Sequence, residues 1–181
     1  MKKSLAKKCR NSYNITRKRE GALCMVNSLV VANNVLQRAE RDGVTDVSPM
    51  KLQKLIYLVY ARYLHLSGMP LFLNKFEVWQ HGPVEREVYN YFRDFGGRPI
   101  DVFAKINDRF LYVDEEESPL FRQVMDEVWG RYRNTDAWTL SEMTHEDGSA
   151  WSTMRKDGSW IIGDTEIRGD GGRFFTDGRK C

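Results

Sequence analysis

Long apolar runs are missing from this sequence: none approaches the about eighteen consecutive apolar residues that a membrane-crossing helix requires. No membrane partner is therefore expected. The basic start "MKKSLAKKCRN" is not followed by the apolar stretch of a signal peptide, so a cytoplasmic location is expected. Cysteine is scarce. Cys9, Cys24 and Cys181 are widely spaced and form neither a CxxC pair nor a cluster with His65, His81 or His145, which argues against a disulfide framework and a zinc site. Catalytic signatures are absent too: no Ser or Cys stands in a nucleophile elbow, and no HExxH or paired-carboxylate spacing occurs. The glycines of "GDTEIRGDGG" lack the Gly-Lys-Ser/Thr ending of a phosphate loop. Neither a metal nor a cofactor is expected, and the chain reads as a non-enzyme.

What is present begins with charge. Residues 1–20 carry eight basic side chains against Glu20 alone, while the other 161 residues hold 20 basic and 24 acidic ones. The basic excess therefore belongs to an N-terminal arm, residues 1–19, whose composition predicts mobility. Lys7, Lys8, Arg10, Arg17, Lys18 and Arg19 are candidates for contacts with nucleic-acid phosphates. A solubilising role is the plainer alternative, because only Tyr13 is interleaved for stacking.

Between the arm and a Gly- and Asp-rich tail (residues 157–181), residues 20–156 read as one helical domain. Residues 20–43 place Leu23, Val26, Val30 and Leu36 on one side at helical spacing, ahead of a closing Gly43. Ser48, Pro49 and Gly68 bracket a second helix whose apolar residues spill beyond one stripe, so that helix is expected at the centre. "FEVW" reads as a short strand, and "GPVEREVYNYFRDFGG" as a helix opened by Pro83. The joint from Trp79 to Pro83 is accordingly a strand-to-helix turn. Residues 98–113 are ambiguous between strand and helix. Ser118-Pro119 starts a further amphipathic helix, and Thr139 with Glu142 has the form of a capping box. The tail is expected to be loosely ordered, with Trp160, Ile161, Ile167, Phe174 and Phe175 available to dock. The fold class is mainly α: a single compact helical domain with a short β-hairpin or extended element.

His145-Glu146-Asp147 sits where a helix breaks, and His is readily poised for proton transfer near neutral pH. It lacks a nucleophile for company, so the residue reads instead as one that donates to a neighbouring carbonyl or carboxylate and pins the turn. The tryptophans Trp79, Trp138 and Trp151 suit a core and an interface equally well, whereas Trp129 lies on an apolar stripe.

Three blocks in order pass beyond such patterns: a helix ending "LSGMPLF", then "EVWQHGPVEREVY", then "LSEMTHEDGSAW". Together they resemble the SocA-like or Panacea antitoxin domain, also called the phage-associated GepA-like family, over residues 23–155. The resemblance implies a mainly helical domain without enzymatic activity that binds and blocks a cognate toxin in a bacterial or phage toxin–antitoxin system. In some members it also delivers the toxin to a protease. The positions it marks include Glu77, Trp79, Gly82, Pro83, Val84, Val88, Tyr89, Leu140, Ser141, Thr144, His145, Ala150 and Trp151. Of these Glu77, Trp79, Tyr89, Thr144, His145 and Trp151, with His81 beside them, are the partner-binding candidates. The alternative is a nucleic-acid-binding regulator that uses the basic arm.

Overall fold

The computed structural model describes residues 25–175, preceded by the backbone of three short strands, β1 (Ser12–Ile15), β2 (Lys18–Arg19) and β3 (Ala22–Leu23). Lys7, Lys8, Arg10 and Arg17 lie outside the described residues, and of Lys18 and Arg19 only the backbone is described. The expected mobility of the arm falls outside them as well. The chain is mainly α with a few short strands.

Helix α1 (Ser28–Asp42) begins at Ser28 rather than at Glu20. Asn27 is extended, and its side chain accepts from the Leu29 amide, which starts the helix there. Gly43, at φ 69°, closes it by donating to the Ala39 and Glu40 carbonyls. Helix α2 (Pro49–Ser67) runs from the Ser48 cap to Gly68 and occupies the centre, as its all-round apolar pattern predicts. It buries not only Leu52, Leu55, Ile56 and Tyr57 but also Lys51, Gln53 and Lys54. Tyr57, Tyr60, Phe72 and Phe76 pack there as a ring cluster with centroids 4.6 to 5.9 Å apart.

Gly82-Pro83 does not open a helix. Strand β4 (Phe76–Trp79) turns through Gln80-His81 into an antiparallel β5 (Gly82–Glu85), pairing Trp79 with Gly82 and Phe76 with Glu85. Pro83 is tolerated because β5 is an edge strand of the sheet β5-β4-β8. Helix α3 (Arg86–Phe92) starts only after Glu85, whose carboxylate accepts from the Glu87 and Val88 amides. Residues left ambiguous by sequence form a second hairpin, β6 (Lys105–Ile106) and β7 (Arg109–Val113). Its two-residue turn places Asn107 and Asp108 at φ 50° and 60°, a conformation these short polar residues tolerate. Strand β1 joins β7 in parallel.

Helix α4 (Pro119–Tyr132) follows the Ser-Pro start. Helix α5 (Ala137–His145) begins earlier than the expected Thr139 box, because Asp136 accepts from the Trp138 and Thr139 amides and also takes the Thr139 hydroxyl. Ser149 caps α6 (Ala150–Lys156). The tail departs most from expectation. Strand β8 (Ile161–Ile162) pairs with β4, and α7 (Asp164–Arg173) lies against α2, burying Ile162, Ile167 and Phe174. Gly171 permits that contact: a Cβ there would stand 2.0 Å from the Ala61 carbonyl oxygen. Asp170 then accepts from Tyr57 Oη at 2.5 Å and from the Ala150 amide, joining α2, α6 and α7.

Buried carboxamides hold hairpins β4–β5 and β6–β7. Asn33 Nδ2 donates to the Ala104 and Leu111 carbonyls while its Oδ1 accepts from the Ala104 amide. Asn34 makes the same two-way bond with Val113, and Gln53 makes it with Glu85. Each amide satisfies a backbone donor and acceptor that would otherwise be buried without partners.

Candidate functional site

The two-residue turn of the β4–β5 hairpin is held by three helices at once. Trp151 Nε1 on α6 donates to the Trp79 carbonyl at 2.9 Å, Ser141 Oγ on α5 donates to the His81 carbonyl at 2.9 Å, and Lys54 Nζ on α2 donates to the Pro83 carbonyl at 2.9 Å. Alternate carbonyls of one short stretch thus each receive a side chain from a different element. Gly82 makes the approach possible. It adopts φ 97°, and a Cβ would lie 2.5 Å from Thr144 Oγ1 and 2.9 Å from Lys54 Nζ. Thr144 is itself fixed, its hydroxyl donating to the Ser141 carbonyl and its carbonyl accepting from Ser149 Oγ.

Lys54 is almost wholly buried, and among the described residues no carboxylate pairs with it. Burial pushes its pKa down to about 7, because an ammonium loses hydration that one carbonyl does not replace. His145 stacks on Trp151 with ring centroids 3.9 Å apart. Its Nε2 is buried without a hydrogen-bond partner, so His145 does not pin the turn by donation as its sequence setting predicts. The turn is secured instead by Ser149 and by Arg173, which donates to the Asp147 carbonyl. The His145 pKa is lowered, first by burial and then by the neighbouring Lys54, His81 and Arg155. Glu146 and Asp147, the acids beside it in sequence, face Arg173 and Lys156 respectively. His81 is exposed and meets the exposed Trp138 ring edge-on at 5.3 Å.

A second group lies on the outer face of the sheet. Arg86 makes a bidentate pair with Glu77, which also accepts from Trp79 Nε1. The guanidinium stands over the Trp79 ring, and Tyr89 packs against the same ring at 4.6 Å. The bond to Arg86 and, less so, the one from Trp79 hold the Glu77 carboxyl below its usual range, against the opposing effect of burial. An open groove of about 710 Å³ continues from this group past Glu85, Glu87 and Tyr91.

The candidate residues therefore fall into two sets. His81, Thr144, His145 and Trp151 gather at the hairpin turn; Glu77, Trp79 and Tyr89 gather on the sheet face; the Trp79 backbone joins the sets. Lys54, Ser141, Arg86 and Arg155 complete them. Lys54 had a partial signal, a lysine among the apolar residues of α2, though Lys51 shares it, whereas Arg86 and Arg155 look like ordinary surface cations in sequence. Among the described residues no group of three or more His, Cys, Asp or Glu side chains is placed to hold a metal ion, and no helix is long and apolar enough to cross a membrane.

A family profile described as Antitoxin SocA-like, Panacea domain, matches residues 52–152, a span that contains the hairpin and the side chains that hold it. The curated protein Antitoxin SocA of Caulobacter vibrioides (strain NA1000 / CB15N) is 37% identical over 136 residues, covering 71% of this chain and 70% of that protein. No solved structure matches the chain.

Proposed function

The chain belongs to the SocA-like antitoxin family, whose hallmark is the Panacea domain, and from that premise we propose that it is an antitoxin that binds a partner toxin directly and so neutralises it. The family match over the hairpin, α5 and α6 carries this reading. The reading assigns the chain no reaction of its own; its chemistry is surface complementarity. Neutralisation follows from mass action: a partner held at nanomolar affinity corresponds to roughly 12 kcal/mol and stays occupied at ordinary cellular concentrations. Delivery of the bound toxin to a protease is the second route by which the same binding would neutralise it.

Co-expression with the products of adjacent genes tests the proposal. One of them is expected to arrest growth alone and to be rendered harmless, in a stoichiometric complex, by this chain. If every neighbouring product is equally toxic or harmless with and without it, the reading fails. Repeating the assay in a protease-deficient host separates the two routes, since simple blocking persists there and proteolytic delivery does not.

A further inference from the structure

We infer that the patch formed by His81, Trp138, His145, Trp151 and Arg155, floored by Lys54, receives an acidic segment of the protein partner. The inference rests on the antitoxin reading and names the chemistry of its contact surface.

Contiguity comes first. The His81 ring meets Trp138 at 5.3 Å, His145 stacks on Trp151 at 3.9 Å, and the Arg155 guanidinium lies over the Trp151 ring at 5.2 Å. Trp138 and Ser141 sit one turn apart on α5, and Ser141 holds the His81 carbonyl, so one face of that helix lines the patch. Charge comes second. Among the described residues Arg155, His81 and Lys54 each lack a carboxylate partner. The acids of the adjoining chain are engaged elsewhere, Glu146 by Arg173 and Asp147 by Lys156, while Glu142 stands exposed on α5 itself. With His145, four nitrogen-bearing side chains thus converge, and of the nearby acids Glu142 alone is left unengaged beside them.

Exposure is the third observation. Trp138 is 63% exposed although α5 buries Leu140, Ser141 and Thr144 beside it, so its large apolar ring contributes little to the core. A rigid exposed aromatic close to an arginine and two histidine rings that no carboxylate among the described residues engages is the makeup of an interface anchor, where the ring supplies contact area and the polar groups supply register. The charge of the helical body, as distinct from the basic residues 1–24, favours an acidic protein over a nucleic acid at this patch. Residues 25–175 hold 18 basic and 23 acidic side chains, a net negative body that repels a long polyphosphate yet leaves a local basic patch suited to a short acidic stretch.

The test uses the full chain and the toxin identified by co-expression, with affinity measured by calorimetry at two salt concentrations. Arg155→Glu and Trp138→Ala are each expected to weaken the complex by about tenfold or more, with Arg155→Glu also flattening the salt dependence. Arg122→Glu, an exposed cation on α4, should change nothing. All three positions are exposed, so an unchanged melting curve certifies the fold. A wild-type complex left intact by both patch substitutions overturns this inference and leaves the antitoxin reading standing. A wild-type chain that neither binds nor neutralises any toxin removes both. Retention of the wild type on a DNA duplex at low salt, abolished by Arg155→Glu, would assign the patch to phosphate and likewise overturn the inference.

Discussion

Hairpins β4–β5 and β6–β7 are held by different chemistry. Hairpin β6–β7 is tied to α1 by Asn33 and Asn34, neutral amides that donate and accept at once and do not titrate. Hairpin β4–β5 has one such amide, Gln53, but its tip depends on Lys54, Ser141 and Trp151, which give hydrogen bonds to carbonyls. The first arrangement is a pH-independent structural joint. The second places a buried amine, two histidines and two tryptophans around one turn, and the turn's outer surface remains open to solvent. Structural necessity accounts for the inner half of that turn; it does not account for exposed His81 and Trp138.

Steric substitution breaks the contrast most severely. Gly82→Val is expected to cost more than about 4 kcal/mol, because it combines a strained positive φ with a clash against Thr144 and Lys54. Gly43 also has positive φ, in the left-handed helical region, but nothing lies within 4 Å of a Cβ there, so Gly43→Ala should cost only about 1 kcal/mol. Urea midpoints of the two variants would decide the matter. Next in size, Asn34→Leu strands both the amide and the carbonyl of Val113 and should cost about 3 kcal/mol. Lys54→Met strands one carbonyl but removes a buried amine, so its cost at pH 7 should be about 1 kcal/mol or less. Equal losses would mean that the two joints do not differ as described.

A smaller and more specific effect is pH dependence. The pKa of Lys54 is about 7 when folded and 10.5 in the unfolded reference, so between these values the unfolded chain binds a proton that the folded chain does not. Stability therefore rises with pH across that window. From pH 7 to 9 the gain should reach about 2 kcal/mol in the wild type relative to Lys54→Met. His145, lowered below 6.5 chiefly by burial, acts with the same sign: its contribution is present above pH 6.5 and is lost as pH falls through its folded pKa. Chemical denaturation of both variants at pH 6, 7, 8 and 9 would reveal the slope. Parallel curves would show that Lys54 keeps its proton when folded. The smallest expected effect is on the α5 cap, where Asp136→Ala should cost about 1 kcal/mol and leave the slope unchanged.

Local signals in the sequence were reliable where one residue did one job. Ser48, Pro49 and Gly68 bounded α2 because capping and φ preference act within a turn of chain. They misled where two jobs competed. Pro83 suits a first helical turn, but edge pairing with Val78 and the Lys54 bond hold it in a strand, and Glu85 takes over as the cap. The Gly-rich tail looked unstructured because its glycines oppose helix formation; their lack of side chains is what lets α7 reach the backbone of α2. The partner-binding candidates were chosen by resemblance as a single group, and nothing in their spacing revealed their division between a turn and a sheet face.

By itself, then, the sequence determined the helical class, the central place of α2, the charge asymmetry of the arm and the family to which the chain belongs. The first three follow from periodicity, capping and composition, which act over short stretches or the whole chain; the family came from the resemblance carried by three motifs in order. Only the tertiary structure decided that three helices converge on the carbonyls of residues 79, 81 and 83, and that Asp170 ties the tail to Tyr57. It also decided that the amine of Lys54 lies, with no carboxylate partner among the described residues, against the Gly82-Pro83 end of the hairpin turn. Those relations join residues up to 113 positions apart, and burial, which sets the energy of each, is a property of the packed whole.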